Sequence, residues 1–265
     1  MSEEQLATWL AAAHELADLA DASTMAAFRG HLEVRTKDDG TWVTAVDEAV
    51  ERALRAAIAE RFPDHAVLGE EDGLDGPTDA PRWVLDPIDG TANFVKGKPI
   101  FATLIGLQVD GEDLVGVVSA PALQTRFDGV AGGVAHQDGR RIQVSEVTTL
   151  ADAEVSFGGL SYFLQRGQGS GVELLVESTA RQRGYGDFWQ HCLVAAGSTD
   201  IAVEAEVNLW DLVAVKVVVE AAGGRFSDLS GHATADGGSA LSTNGHLHDQ
   251  VLGLLPGPSH GTASR

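Results

Sequence analysis

The stretch that decides the fold is RWVLDPIDGTANF, residues 82–94. Its apolar first part, WVL, is typical of a buried strand, and two aspartates with a proline between them follow at once. Pro87 fixes its own φ and holds the residue before it extended, whereas Gly90 permits a turn that other residues resist. The pattern predicts that a strand ends at Asp86 and that the chain then turns, so that Asp89 points into the same space.

Two carboxylates placed this close repel each other unless a cation lies between them. Hard divalent ions such as Mg²⁺ prefer oxygen ligands, and the carbonyl of Ile88 is a further candidate. A turn in which Asp86 and Asp89 only cap backbone groups is the alternative. An EF-hand loop is excluded because the twelfth residue counted from Asp86 is Gly97 rather than glutamate.

Two distant acidic segments favour the metal hypothesis. The segment LGEED places Glu70 and Glu71 just after another apolar run, and NLWDLVAVKV places Asp211 at the start of an otherwise almost wholly apolar helix. An aspartate in the first turn of a helix also complements the helix dipole, which is the structural alternative for Asp211.

Composition narrows the class of protein. The 265 residues carry 39 acidic and 18 basic side chains, which gives a net charge of −21. Such a chain is not steered onto nucleic acid or an anionic membrane, whereas it attracts metal ions or an amine substrate; improved solubility is the alternative explanation. One cysteine, Cys192, excludes a disulfide framework and is interpreted as a core residue. With no signal peptide and no long apolar run, we expect a cytoplasmic protein.

Helical and strand patterns alternate along the chain in two different ways. Helices are expected from Ser2 to Phe28 and from Thr44 to about residue 62, followed by short strands and two hairpins that turn at residues 110–111 and 138–139. These strands are expected to form an antiparallel sheet. Beyond residue 150, strands alternate with helices at 169–184, 187–197 and 210–224, and His246 and His248 are interpreted as surface residues of a last helix. The expected divisions are 1–145 for an N-terminal α+β half, 146–255 for a C-terminal α/β half, and 256–265 for a disordered tail.

Three motifs, G-E-E at 69–71, D-P-I-D-G-T at 86–91 and W-D at 210–211, occur in this order and resemble the inositol-monophosphatase-like family. The resemblance extends over nearly the whole chain. It implies a layered αβαβα sandwich of mixed α/β (α+β) class, shared with fructose-1,6-bisphosphatases. It also implies a Li⁺-sensitive phosphatase that uses two or three Mg²⁺ ions, with Mn²⁺ possible, on a small phosphate ester. A homodimer is expected, and neither nucleic acid nor membrane is expected as a partner.

The resemblance also implies roles for individual residues, by which a metal-bound water attacks the phosphate in line. The metal ligands by resemblance are Glu70, Asp86, the carbonyl of Ile88, Asp89 and Asp211. The residues that orient and activate the attacking water are Glu70, Thr91 and Asp47. Phosphate is expected on Asp89, Gly90 and Thr91, where backbone N–H groups open toward an anion.

Within the family, the run YGDF at 185–188 resembles the histidinol-phosphate phosphatase branch more than the inositol monophosphatases. Histidinol phosphate carries an ammonium and an imidazole, so its pocket benefits from extra carboxylates, for which Asp187, Glu204 and Asp211 are candidates. Asp187 is alternatively a helix N-cap, and Glu204 also matches a sugar-hydroxyl contact. The Gly-rich segment 161–175 departs from the branch pattern. The alternatives are an inositol-1-phosphate or broad-specificity sugar phosphatase, or a catalytically silent Mg²⁺/phosphate sensor.

Overall fold

The computed structural model describes residues 1–37 and 40–255. The helices are α1 Glu3–Ala27, α2 Ala45–Arg61, α3 Thr91–Val95, α4 Leu160–Gln165, α5 Gly169–Ser178, α6 Asp187–Ala195, α7 Leu209–Ala221 and α8 His248–Leu254. The first strands are β1 Val34–Thr36, β2 Trp42–Thr44, β3 Ala66–Gly69, β4 Gly73–Asp75, β5 Arg82–Asp89, β6 Ala102–Val109, β7 Glu112–Ala120, β8 Thr125–Val130, β9 Ala135–Gln137 and β10 Arg140–Ile142. The later strands are β11 Glu154–Phe157, β12 Arg181–Arg183, β13 Ile201–Glu204, β14 Arg225–Ser227 and β15 Ala240–Thr243, and 3₁₀ turns lie at Pro121–Leu123 and Leu150–Asp152.

The first two helices begin where the sequence places caps. The Ser2 side chain accepts the N–H of Gln5 before α1, and Thr44 and Asp47 form a reciprocal capping box before α2. Both helices turn an apolar face to the same side of the larger sheet. The expected helices up to residues 28 and 62 are therefore confirmed.

The larger sheet has the strand order β10-β9-β8-β7-β6-β5-β3-β4. The expectation of a purely antiparallel sheet is wrong, because β3 pairs with β5 in parallel. After β3 the chain forms the edge strand β4 and returns, and the N–H of Ala66 binds the carbonyl of Pro81, which aligns the starts of β3 and β5. The segment around β4 is thus partly built into the sheet.

Both predicted hairpin turns are confirmed. Asp110 and Gly111 link β6 to β7 with φ of 52° and 82°, and Asp138 and Gly139 link β9 to β10 with φ of 52° and 73°. Two successive left-handed residues are the geometry that matches the twist of the flanking strands.

The smaller sheet has the order β12-β11-β13-β15-β14 and contains parallel and antiparallel pairs. The expected helix over 169–184 is too long, because α5 ends at Ser178 and Thr179 turns extended. Residues 181–183 then pair in parallel with β11. Long-range strand pairing outweighs the local helical preference of this segment.

Strand alternation builds a layered structure. Trp83 and Leu85 of β5 face the core under α1 and α2, whereas Val84 faces the core that contains α6 and α7. A third core, centred on Val155 and Val203, lies between the other face of the smaller sheet and helices α5 and α8. The order helix, sheet, helix, sheet, helix confirms the αβαβα sandwich.

Helix α7 lies against a row of glycines on the larger sheet. Gly106, Gly116 and Gly129 are cross-strand partners on β6, β7 and β8. A Cβ atom on Gly116 would lie 3.0 Å from Val217 Cβ and 3.1 Å from the carbonyl carbon of Ala214. The missing side chains therefore let the helix backbone approach the strands closely.

The two halves share a core, because α6 and α7 come from the later part of the chain and pack on the larger sheet. The larger sheet ends at Ile142 and the smaller one starts at Glu154, and the boundary near residue 145 stays a prediction. The expected tail at 256–265 lies outside the described residues. Cys192 is buried as expected, whereas the surface interpretation of His248 is wrong, since its ring binds Ser227 and Thr243 inside the core. No helix of the described ranges has the length and apolar character to span a bilayer.

Candidate active site

Strand β5 carries the two aspartates to one end of the larger sheet. The strand was expected to end at Asp86. It instead continues to Asp89 through an irregularity in its register with β6. Asp86 Oδ1 accepts the N–H of Ile88 at 2.9 Å, and Asp89 Oδ2 accepts the N–H of Phe188 at 2.6 Å. The irregularity therefore lets both carboxylates face the same space, as predicted.

Asp211 reaches this space from the first turn of α7. One carboxylate oxygen of each of Asp86, Asp89 and Asp211 lies within 4.8 Å of the other two. Asp211 also accepts the N–H of Asn208 at 2.7 Å and completes a capping box. Asp211 therefore caps the start of α7 and also belongs to the group of three neighbouring carboxylates.

The three acids Asp86, Asp89 and Asp211, here called the carboxylate cluster, all have raised pKa values. Burial raises the pKa of Asp86 and of Asp89 well above the usual range, and neighbouring carboxylates raise it further. Burial and the charge of Glu70 raise the pKa of Asp211 to about 7, although the N–H of Asn208 opposes this. Cations that enter the cluster relieve this repulsion, so its oxygen-only donor set fits a hard divalent metal.

Glu70 lies beside the carboxylate cluster but forms an ion pair with Lys37. Lys37 Nζ lies 2.7 Å from Glu70 Oε1 and 2.9 Å from Glu71 Oε1. Burial raises the pKa of Glu71 to about 7, although Lys37 lowers it in part. Lys37 was not singled out from the sequence, where it lies close to Arg35 in the polar segment before α2.

Buried Glu51 and partly buried Arg55 form an ion pair that supports the backbone after β3. Glu51 accepts the backbone N–H groups of Glu71 and Asp72 at 2.8 and 3.0 Å, and its carboxylate lies 2.8 Å from Arg55. A charged pair at i and i+4 on the apolar face of α2 was the available signal, and it too was missed. The pair fixes the backbone beside Glu70.

Thr91 and Asp47 come together as predicted. The Thr91 hydroxyl lies 2.9 Å from the carbonyl of Ile88 and 3.3 Å from Asp47 Oδ1. Asp47 is fully buried, and its other oxygen accepts the N–H of Thr44. Gly90 precedes α3 with a φ of 80°, which confirms the predicted turn.

Two cavities meet at the carboxylate cluster. The first, about 470 Å³, contains the predicted metal and phosphate residues and is here called the cluster cavity. The second, about 480 Å³, extends toward the smaller sheet and is here called the leaving-group cavity, a name that anticipates the role proposed for it. The acidic residues that line the leaving-group cavity are Asp89, Asp187, Glu204, Glu206 and Asp211.

Asp187 and Glu204, the candidates for substrate contacts, both line the leaving-group cavity. Asp187 is not an N-cap, since it is the first residue of α6, has a φ of 50°, and accepts the side-chain amide of Asn93 at 3.1 Å. Glu204 accepts the N–H of Asp187 and the side-chain amide of Gln190. Burial, with the charges of Asp187 and Asp211, raises the pKa of Glu204 well above its usual range.

Tyr162 of α4 lines both cavities and was not singled out from the sequence. Glu206, which pairs with Arg166 at 3.7 Å, was also missed. Nothing in the local pattern around residue 162 distinguishes an active-site aromatic from a core aromatic, because only the path of α4 over the smaller sheet decides this.

A layered sandwich with a buried carboxylate cluster between its two sheets defines a class of metal-dependent hydrolases. A sequence model of the inositol monophosphatase family matches residues 5–256, and the chain belongs to this family. It is 43% identical to a histidinol-phosphatase of Streptomyces coelicolor over 92% of this chain and 95% of that one, and 46% identical to a histidinol-phosphatase of Mycobacterium tuberculosis over 96% and 99%. The IMPase of Thermotoga maritima superposes with a TM-score of 0.82 at 32% identity, covering 91% of this chain and 94% of that one. The protein is therefore a phosphomonoesterase that acts on small phosphate esters.

Proposed function

We propose that the protein is a Mg²⁺-dependent histidinol-phosphate phosphatase. The observation that carries the proposal is the leaving-group cavity, which continues directly from the carboxylate cluster and is lined by further carboxylates, among them Asp187 and Glu204. Among the described residues, no lysine or arginine lines this cavity. An alcohol that bears an ammonium and an imidazole suits such walls better than a neutral polyol does. The names of the two relatives that are 43% and 46% identical support the same choice.

The metal site that we propose combines the cluster with the residues beside it. Its ligands are Glu70, Asp86, the carbonyl of Ile88, Asp89 and Asp211. When bound, Mg²⁺ supplies positive charge that stabilises the entering and leaving oxygens of the phosphate and lowers the pKa of water. Mn²⁺ also fits an all-oxygen donor set.

The protein's own groups then position the reactants. We propose that Asp47 and Thr91, whose oxygens lie 3.3 Å apart, with Glu70 nearby, hold the attacking water in line with the phosphate. We propose that the backbone N–H groups of Asp89, Gly90 and Thr91 donate to the phosphate oxygens. Positioning and charge account for most of the acceleration, since phosphoryl transfer requires little covalent work.

The substrate is tested by comparing kcat/KM for histidinol phosphate with that for inositol 1-phosphate in Mg²⁺. A higher value for histidinol phosphate is expected. A higher value for inositol 1-phosphate would overturn the proposal in favour of the second candidate, which the 32% identical IMPase of Thermotoga maritima represents.

The catalytic centre is tested by Asp86→Asn and Asp89→Asn. Each variant removes one negative ligand, so phosphate release should fall about 10²-fold or more. Asp79→Asn, which changes an exposed aspartate away from the cavities, is the matched control and should keep the parent rate. Near-native kcat in either cluster variant would contradict the assignment.

We also propose a cytoplasmic homodimer that is inhibited by Li⁺, as the family resemblance implies. Sedimentation of the purified protein at micromolar concentration tests the dimer, and a monomer throughout would refute it. Titration of the Mg²⁺-supported activity with LiCl tests the inhibition.

A further inference from the structure

Tyr162 occupies the junction between the two cavities. It lines both the cluster cavity and the leaving-group cavity, and 38% of the residue is exposed. The core needs no such residue here, because Phe163, the next residue, anchors α4 by packing edge-on against Phe157 with ring centroids 6.2 Å apart. The position of Tyr162 thus calls for an explanation other than packing.

The backbone beneath the ring is shaped to receive it. A Cβ atom on Gly159 would lie 2.6 Å from Tyr162 Cδ2 and 2.8 Å from Cε2, so the ring lies directly on the Gly159 backbone. This contact restrains the ring at the wall of the cavity. A ring that is held in place loses little conformational entropy when it stacks on a ligand.

The surroundings of the ring favour a cationic ligand. Asp187, Glu204 and Glu206 line the same cavity, and Glu206 is paired through Arg166 to the end of α4. An aromatic face attracts a cation, and carboxylates on the other walls add to that attraction. A planar cation satisfies both kinds of wall, by stacking on the ring and by donating to the acids.

We propose that Tyr162 is a specificity-determining residue, whose ring stacks on a planar cationic group of the leaving alcohol, such as an imidazolium. The inference rests on the proposed function and deepens it, since it assigns the discrimination between imidazole-bearing and polyol phosphates to a particular side chain. Tyr162 takes no part in phosphate cleavage, and its contact is the same in the bound substrate and in the transition state.

The test measures the ratio of kcat/KM for histidinol phosphate to kcat/KM for inositol 1-phosphate, with saturating Mg²⁺. In Tyr162→Leu the ratio should fall about 3- to 30-fold, the range that corresponds to a cation–π contact. The loss should lie in KM for histidinol phosphate rather than in kcat, as for binding that is uniform along the reaction. Tyr162→Phe keeps the ring and should keep the ratio.

Leu164→Ala is the matched control, since Leu164 belongs to the same helix, is 69% exposed and lines neither cavity. It should keep the parent ratio, and melting curves of all variants report whether α4 stays folded. A ratio within twofold of the parent in Tyr162→Leu, or an equal loss in Tyr162→Phe, would overturn the inference. If the parent protein does not hydrolyse histidinol phosphate, the proposed function fails first, which is a separate result.

Discussion

The glycine row under α7 sets the distance between Asp211 and the other members of the carboxylate cluster. We predict that Gly116→Ala separates the helix from the sheet. The new Cβ atom would lie 3.0 Å from Val217 Cβ and 3.1 Å from the carbonyl carbon of Ala214, with the oxygen of Ala214 closer still. Non-bonded heavy atoms pack at about 3.5–4.0 Å, and the contact with the Ala214 oxygen is the tightest, so α7 must move by about 1 Å.

A movement of this size affects stability and the site differently. Overpacking a well-packed core costs about 1–3 kcal/mol of unfolding free energy. Mg²⁺ demands near-ideal geometry, and ligand distances in metal sites hold to within about 0.2 Å, so a displaced Asp211 weakens the proposed metal site. We expect the Mg²⁺ concentration for half-maximal activity to rise about tenfold or more and kcat/KM to fall up to about 10²-fold.

The assay is phosphate release over a Mg²⁺ titration, with thermal melts in chelator to measure the loss of stability. Gly253→Ala is the control, because no atom lies within 4 Å of the added Cβ. If Gly116→Ala loses stability but keeps the parent Mg²⁺ dependence, the sheet has yielded instead of the helix, and the reasoning about Asp211 is refuted.

Two further predictions concern the walls of the leaving-group cavity. Burial lowers the pKa of His191 from 6.5 to about 4. As pH falls, the imidazole is therefore protonated in the unfolded chain before it is protonated in the folded one. The free energy of unfolding should drop by about 3 kcal/mol between pH 6.5 and 4. Denaturant titrations should show that His191→Gln lacks this component, and parallel curves for parent and variant would contradict it. In Gly158→Ala the new methyl group would collide with the Glu204 carboxylate and break its bond from Gln190, so KM for histidinol phosphate should rise about tenfold or more. An unchanged KM in steady-state kinetics would show that Glu204 does not contact the substrate.

Local signals were sufficient for much of the fold. Caps at Ser2 and Thr44 and the two Asp-Gly turns are decided by neighbours in the sequence, so their positions could be predicted. The parallel pairing of β3 with β5 and the short strand β12 depend on contacts between distant segments, which no local pattern encodes. The direction of β3 relative to β5 and the end of α5 were therefore predicted incorrectly.

The same distinction between local and long-range signals applies to the residues of the candidate site. Asp86, Asp89 and Asp211 could be predicted to converge because each is an acid at the end of an apolar element. The left-handed backbone of Asp187 could not be predicted, since its φ of 50° is set by contacts with segments distant in sequence. Tyr162 was missed for a similar reason, because its role depends on how closely α4 crosses Gly159.

The three cluster carboxylates share one means of support. Asp86 accepts a backbone N–H from β5 itself, Asp89 accepts one from the start of α6, and Asp211 accepts one from the residue before α7. Each bond restrains the rotation of a carboxylate without bringing in a full positive charge, so the ionised carboxylates still repel one another. These bonds require the N-termini of α6 and α7 to lie close in space to the end of β5. The glycine row and the shared central core hold both helices in that position. The layered fold therefore serves the site by fixing three acids in an arrangement whose repulsion a bound metal cation relieves.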